Sequence, residues 1–314
     1  TLDTGTTSNA SNNKWTNHPA FTFGTTELTG IWVAKFESTA AEGLSNTLDL
    51  DNVATKTIKI TPNVQSWRYI NIGNAYTATR NMEISNVYGW DTANTLKSDG
   101  TYTTDLNNLD THLMKNVEWG AVLYLYKSIY GKNTEEIWPN DSYDYITGCS
   151  AISVSSPPDG TCQYTYDTIN GFKASTTGNI YGIYDLIASS EHVSAYVNNS
   201  NSALALSGSS IISADIRYKD IYSKATTDNT SNNYSLAVNK KGDAVYETSG
   251  NSSGAVSWFA DYFCMVSFNY PWFLRGGNFY SGSLKSGAFS SYVSNGIGDP
   301  YTTFRPVLLV GTGL

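Results

Sequence analysis

Charge is scarce in this chain. Only 15% of its 314 residues are Asp, Glu, Lys or Arg, against roughly 25% in an ordinary domain. Solubility must then come from Asn, Ser, Thr and Gly. Basic clusters are also missing: the adjacent pair Lys240-Lys241 is followed at once by Gly242 and Asp243, and the net charge is -8. A surface that tracks phosphates needs grouped Lys and Arg, so nucleic acid is not an expected partner. No apolar run reaches the roughly 18 residues that a membrane-spanning helix requires. His18, His112 and His192 have no metal-ligand spacing and read as surface or packing residues. Gly-x-Ser-x-Gly, P-loop and zinc patterns are absent. Glu135-Glu136 and the pair Asp141 and Asp144 admit a paired-carboxylate glycosidase, but acidic residues in polar loops are usually solvated. The expectation is therefore a protein that is not an enzyme and has no cofactor. A structural calcium ion remains compatible with the many oxygen ligands.

What the chain has in abundance is tyrosine, 23 residues, with little Lys to accompany it. That mixture suits an extracellular, cell-surface or virion-surface protein. Its organising stretch is residues 270–310. Trp272-Phe273-Leu274 and Val307-Leu308-Leu309-Val310 are continuous apolar runs bounded by breakers, the pattern of buried strands. Between them, residues 276–302 are Gly, Ser, Asn, Tyr and Phe with almost no charge. Tyrosine gives contact area at low conformational cost, and Ser, Gly and Asn give adaptable hydrogen bonds, as in a paratope. The expected contact residues are Leu274, Asn278, Tyr280, Ser281, Ser290, Tyr292, Asn295, Asp299 and Tyr301; Phe279 and Phe289 are candidates to point inward.

Cys149 and Cys162 flank Pro157-Pro158-Asp159-Gly160, a strong turn signal, and are expected to form a disulfide. Cys264, after an aromatic run, reads as a buried inert thiol. Residues 1–17 form a polar lead, expected to be flexible or to dock on a neighbour. No signal peptide opens it, as though the chain had been processed or excerpted. Residues 18–314 read as a single domain. Strands are expected at residues 21–23, 31–37 and 57–60, and in pieces at 211–212 and 214–218. A helix is expected from about Asn71 to residue 82. The best helix lies within residues 110–128, with Asn116 as its cap, Glu118 in its first turn and Val117, Ala121, Tyr124 and Leu125 on its apolar face, widened by Trp119 and Val122.

Three stretches in order carry a resemblance. Leu113-Met114-Lys115-Asn116-Val117-Glu118-Trp119 is similar to a Leu-Pro-Thr-Glu-Ala-Glu-Trp helix start. Asn179-Ile180-Tyr181-Gly182-Ile183-Tyr184-Asp185-Leu186 is similar to Asn-x-x-Gly-Leu-Tyr-Asp-Met. Leu274-Arg275-Gly276-Gly277-Asn278 and Phe304-Arg305 are similar to Arg-Gly-Gly-Ser and a terminal Gly-Phe-Arg. Together they resemble the formylglycine-generating-enzyme-like (sulfatase-modifying-factor) family, a branch of the C-type lectin fold, over residues 21–310. The resemblance implies an α+β domain of short twisted strands, two helices and long irregular loops. It also implies structural roles for Arg275 and Arg305, paired with carboxylates or carbonyls. The chain departs from the family where Ile187-Ala188-Ser189-Ser190-Glu191-His192 replaces Gly-Asn-x-x-Glu-Trp, which questions any family calcium site. No cysteine follows Cys264, so the copper-thiolate pair of the oxidase members has no counterpart. The same fold serves variable proteins of diversity-generating retroelements, in which a C-terminal segment varies on a fixed scaffold, and surface or pilin-like proteins of gut bacteria and their phages. The resemblance thus implies an adhesin or phage receptor-binding protein whose partner is a cell-surface protein or glycan. The alternatives are a structural subunit of a pilus, fibre or capsid surface, with a homo-oligomer or fibre neighbour as partner, and a degenerate member of the oxidase family.

Overall fold

The computed structural model describes residues 17–84, 86–89, 109–155, 161–277 and 286–311. Thr22–Phe23 (β1) and Thr26–Glu27 (β2) form a hairpin, followed by Trp32–Val33 (β3) and Thr39–Ala40 (β4). The single turn Leu48–Asp51 (α1) leads to Ile58–Lys59 (β5), which pairs with β4. Helix Ile72–Asn81 (α2) and strand Leu109–Leu113 (β6) precede helix Asn116–Tyr126 (α3). Cys149–Ser150 (β7) pairs with Tyr164–Thr165 (β8). Then come Ser190–Val197 (β9), helix Ser202–Ser213 (α4), Asp220–Tyr222 (β10) and helix Thr230–Leu236 (α5). The remainder is rich in strand: Ser253–Ala255 (β11), Tyr262–Cys264 (β12), Trp272–Gly277 (β13), Ser286–Ser294 (β14), Thr302–Phe304 (β15) and Pro306–Val310 (β16). The class is α+β, with several small sheets around one larger sheet.

That larger sheet runs β10-β9-β13-β14-β12-β11, and β15 lies parallel to the first half of β9. It is covered on both faces, which is why its central strands read as unbroken apolar runs and do not alternate. Successive residues of β13 show this. Phe273 joins a core with Trp119, Leu123, Val193 and Phe289 under α3. Trp272 joins a second core with Trp67, Ile72, Leu204 and Phe304 under α2 and α4. The second apolar run, β16, lies elsewhere: it pairs with β6 and β3 in a three-stranded sheet.

Several elements differ from expectation. There are five helices among the described residues where two were expected. Ile211 and Ile212, expected in a strand, lie in α4, and Ile216–Tyr218 is a 3-10 turn. Asn201 caps α4 by accepting from the Ala203 N–H. Its Ser and Ala residues let it lie close on α2, where the Ser210 hydroxyl donates to the Gly73 carbonyl at 3.1 Å. Helix α2 starts where expected, with Asn71 Oδ1 accepting from the Asn74 N–H at 2.8 Å. Helix α3 lies within the expected residues but begins at Asn116, the expected cap, and the residues before it, 109–113, are strand β6. Its cap is Lys115, and Glu118 turns back to accept the Lys115 N–H at 2.8 Å. Of the expected apolar face, Val117, Trp119 and Val122 are buried, joined by Leu123 and Tyr126, whereas Leu125 is 58% exposed. The pattern misled because Glu118 is itself buried, against His112 at 2.9 Å. Of the strand expected over residues 31–37, only β3 forms.

The polar stretch 276–302 is not simply a loop between two frame strands. Its middle is β14, antiparallel to β13 (Leu274 opposite Tyr292) and parallel to β12 (Phe263 opposite Ser291). Phe289 is fully buried, and Phe279 lies outside the described residues. Cys149 and Cys162 are bonded, with Cα atoms 5.2 Å apart. Cys264 is half-buried, not buried as expected, although its surroundings still raise the thiol pKa by desolvation. Asp141, expected to be solvated, is buried and accepts from the Ser155 hydroxyl at 2.6 Å. Most of the polar lead lies outside the described residues.

Candidate ligand-binding cleft

On the α2/α4 side of the large sheet, next to the second core, a cleft of about 440 Å³ opens. That lies within the roughly 300–1,000 Å³ of small-molecule sites. Its base is strand: Ser190 from β9, Leu274 from β13, Tyr292 and Ser294 from β14, and Thr302 from β15. These residues share one face by strand register, since Leu274 stands opposite Tyr292 and Thr302 opposite Ser190. Its rim is the connection from β14 to β15, which supplies Asn295, Ile297, Asp299 and Tyr301. Tyr270 stands at the entry to β13 and is 51% exposed.

The rim is tied down by the segment leading into α2. The Arg68 guanidinium donates to the Pro300 carbonyl at 2.9 Å, the Tyr69 N–H to Asp299 O at 2.9 Å and the Ile72 N–H to Gly296 O at 3.0 Å. Two glycines permit this approach. Gly296 has φ +83, and a Cβ there would meet the Ile72 side chain at 2.9 Å. A Cβ on Gly298 would overlap the Tyr69 carbonyl. Within the rim, Asn295 Oδ1 accepts the Ile297 N–H at 3.3 Å and Asp299 Oδ1 accepts the Tyr301 N–H at 2.7 Å. The Tyr301 carbonyl accepts the Ser190 N–H at 3.0 Å, joining rim to base. The cleft is therefore a preorganised surface.

Electrostatically the cleft carries one acid and no base among its described lining residues. Burial pushes the Asp299 carboxyl above its ordinary range, against the hydrogen bonds from Tyr301 and Thr302 that favour the charged form. Arg68 faces away from this role, stacked on Tyr145 at 4.6 Å. The Tyr262 ring supports Tyr292 at 5.6 Å.

Directly behind the base, the opposite face of β9 and β15 holds an ionic cluster. Arg305 donates from Nε and Nη2 to Glu191, the shortest contact being 2.6 Å, from Nη1 to Ala34 O at 2.6 Å and from Nη2 to Tyr184 O at 2.9 Å. Glu37 accepts the Ser189 N–H at 3.2 Å. Asp185 accepts from Asn140 Nδ2 at 2.8 Å and from the Gly148 N–H at 2.9 Å. Three buried carboxylates thus share one guanidinium. Desolvation, followed by its carboxylate neighbours, pushes Glu37 well up; desolvation also raises Glu191 and takes Asp185 to about 6.

Of the nine expected contact residues, Leu274, Tyr292, Asn295, Asp299 and Tyr301 line this cleft. Leu274 is 5% exposed and forms its base. Ser290 does not line it: the residue is 1% exposed and its hydroxyl donates to the Tyr262 carbonyl at 2.9 Å. It falls one step too far into the β12–β14 pairing. Asn278, Tyr280 and Ser281 lie outside the described residues. Sequence reasoning missed Ser190, Tyr270, Val293, Ser294, Ile297 and Thr302. Tyr270 was accessible to it, as an aromatic directly before Pro271. Ser190 was not, because its place depends on the parallel pairing of β9 with β15.

The histidines divide. His112 is buried between Asp110 at 2.6 Å and Glu118 at 2.9 Å, and these partners raise its pKa against desolvation. His192 is buried and desolvation lowers it to about 4. His18 is partly buried, with Nδ1 accepting from the Ala20 N–H. Among the described residues no group of three or more His, Cys, Asp or Glu is arranged to hold a metal ion, so the calcium expected as a structural possibility finds no such cluster here. No described helix is long and apolar enough to cross a membrane. No protein-family model matches the chain, and no curated protein matches it significantly.

Proposed function

We propose that this chain is a non-enzymatic, extracellular ligand-binding protein, an adhesin or phage receptor-binding protein, that engages a cell-surface protein or glycan through the Leu274–Tyr292–Tyr301 cleft. We further propose that its scaffold is the formylglycine-generating-enzyme-like branch of the C-type lectin fold. The observation that carries the reading is convergence: five residues chosen for paratope-like chemistry come from two strands and a rim and line one concave surface. A rigid rim fits this role, because a preformed surface loses little conformational entropy on binding. The disulfide between Cys149 and Cys162 is compatible with an oxidising compartment. The test is binding of the labelled chain to intact cells. Replacing Tyr292 and Tyr301 together by Ala should lower cell association at least tenfold, or ~1.4 kcal/mol; unchanged association would remove the cleft from this role.

A second reading, a structural subunit of a pilus, fibre or capsid surface, draws on Trp32. It is 69% exposed on β3, an edge strand of the three-stranded sheet. An exposed apolar edge is a surface on which a neighbouring chain could add. Mass in solution by light scattering separates the two readings, since the subunit reading requires assembly that Trp32→Lys disrupts.

A further inference from the structure

We infer that the cleft takes a neutral pyranose ring, a sugar of an uncharged glycan. The inference rests on the cleft being the ligand surface and narrows what it binds.

Three tyrosines, Tyr270, Tyr292 and Tyr301, line a space of about 440 Å³ together with Asn295, Asp299 and Ser190. A pyranose has two kinds of surface. Its C–H faces are apolar and lie against aromatic rings. Its hydroxyl edge needs donors and acceptors side by side, because each hydroxyl does both. Asp299 supplies acceptors, Asn295 supplies both kinds, and the Tyr270 and Ser190 hydroxyls supply either. Asp299 is already oriented by the Tyr301 N–H at 2.7 Å, so it need not reorganise to accept from a ligand. Asn295 commits Oδ1 to Ile297 and has no further bond from Nδ2 to the described residues.

The same geometry argues against other ligand classes. Sialylated, sulfated or phosphorylated groups need a cation to balance them, and no described lining residue is Lys or Arg. An extended peptide is usually captured by adding to a free strand edge. Here β9 is flanked by β13 on one side and β15 and β10 on the other, and β14 by β13 and β12. Among the described residues β15 has a strand on one side only, and on β15 the Phe304 carbonyl already accepts the Ser38 N–H at 3.1 Å.

The test applies the purified whole chain to an array of glucose-, galactose-, mannose- and N-acetylhexosamine-terminated glycans. Sialylated and sulfated glycans, a choline conjugate and extended peptides are displayed beside them, and the best binder is titrated by calorimetry. Neutral glycans should be retained and competed off by the free monosaccharide. Tyr270→Ala and Asp299→Asn should each weaken binding at least tenfold. Tyr270 is half exposed, so its loss does not threaten folding, and Asn at 299 still accepts from the Tyr301 N–H. Tyr181→Ala, at an 87% exposed side chain outside the cleft, should change nothing. Capture of only acidic glycans, of choline or of peptides, lost in the same variants, overturns the sugar assignment and leaves a ligand-binding cleft. An array with no binder overturns the sugar assignment as well, and the cell-binding measurement then decides the broader reading. Neutral-glycan binding that ignores both cleft variants overturns the cleft itself and the function proposed for it.

Discussion

Arg305 and Arg275 are both fully buried, and their surroundings have little else in common. Arg305 spends its donors on Glu191 and on the carbonyls of Ala34 and Tyr184. Its partners, Glu191 first, raise its pKa despite desolvation. Arg275 donates from Nη2 to Ala244 O at 3.1 Å, while Nε and Nη1 have no hydrogen-bond partner among the described residues. Desolvation lowers it to about 10, with Asp243, Tyr222, Tyr124 and Asp261 opposing at longer range. One arginine therefore joins β15, β9 and the segments around Ala34 and Tyr184 into the rear wall of the cleft. The other is a buried charge held by field more than by contact. The resemblance expected a structural role for both, and the geometry supplies carboxylate pairing for Arg305 and a single carbonyl for Arg275.

The largest effect should come from breaking the paired site. Arg305→Ala leaves Glu191 buried beside Glu37 and Asp185 without its cation, and should cost ~3–5 kcal/mol in urea unfolding. A loss below about 1 kcal/mol would mean that the cluster adjusts by taking up protons.

Next in size is the pH dependence around Arg275. Asp261 accepts the Phe289 N–H at 2.8 Å, and desolvation raises it from 3.8 to about 8; Asp243 is raised likewise to about 6. A carboxyl whose folded pKa lies above its unfolded value holds its proton more tightly when folded. Its contribution is complete below the unfolded value near 4 and declines as pH rises through the folded value. The melting temperature should therefore fall between pH 5 and pH 8, by roughly 2–4 °C for each kcal/mol lost. Asp261→Asn should flatten that fall, because the amide mimics the protonated acid. A wild-type curve that rises over this range would refute the assignment. Glu118 behaves oppositely. Lys115 and His112 hold Glu118 down to about 2 against desolvation, so its contribution is lost only as pH falls from about 4.5 toward 2.

Arg275→Met should be milder than Arg305→Ala, at about 1.5 kcal/mol or less, since it replaces a poorly paired charge with an apolar chain of similar length. If it equals or exceeds the loss at Arg305, long-range attraction from Asp243 and Asp261 outweighs direct pairing, and the contrast between the two sites collapses. The smallest effect on stability is expected at the rim. Arg68→Met removes the bond to Pro300 and should cost about 1 kcal/mol in unfolding. Faster hydrogen exchange at residues 295–301 would accompany it.

Much of the fold could be read from local pattern. The helical stripe from about Asn71 announced α2, the turn residues between Cys149 and Cys162 announced their pairing, and the runs at Trp272 and Val307 announced two buried strands. β9 could not be read this way. Its eight residues are all buried, yet it begins Ser190-Glu191-His192, which looks like a solvated stretch. Glu191 is tolerated inside only because Arg305, 114 residues later, reaches it. α4 was hidden for a related reason, because its small residues signal a helix only once α2 is there to receive them. The cleft was half legible. Tyr292, Asn295, Asp299 and Tyr301 stand out by residue type, whereas Ser190 and Thr302 enter by strand register.

By itself the sequence determined which chemistry would be displayed: a charge-poor, tyrosine-rich C-terminal stretch bounded by buried strands. Only the tertiary structure decided that nine residues of this stretch, Ser286–Ser294, would be a central strand and that its rim would be pinned to the approach to α2. The reason is physical. Residue type fixes what a side chain can bond to, but burial of a polar group such as Glu191 or Ser290 depends on a partner that only the folded chain brings within reach.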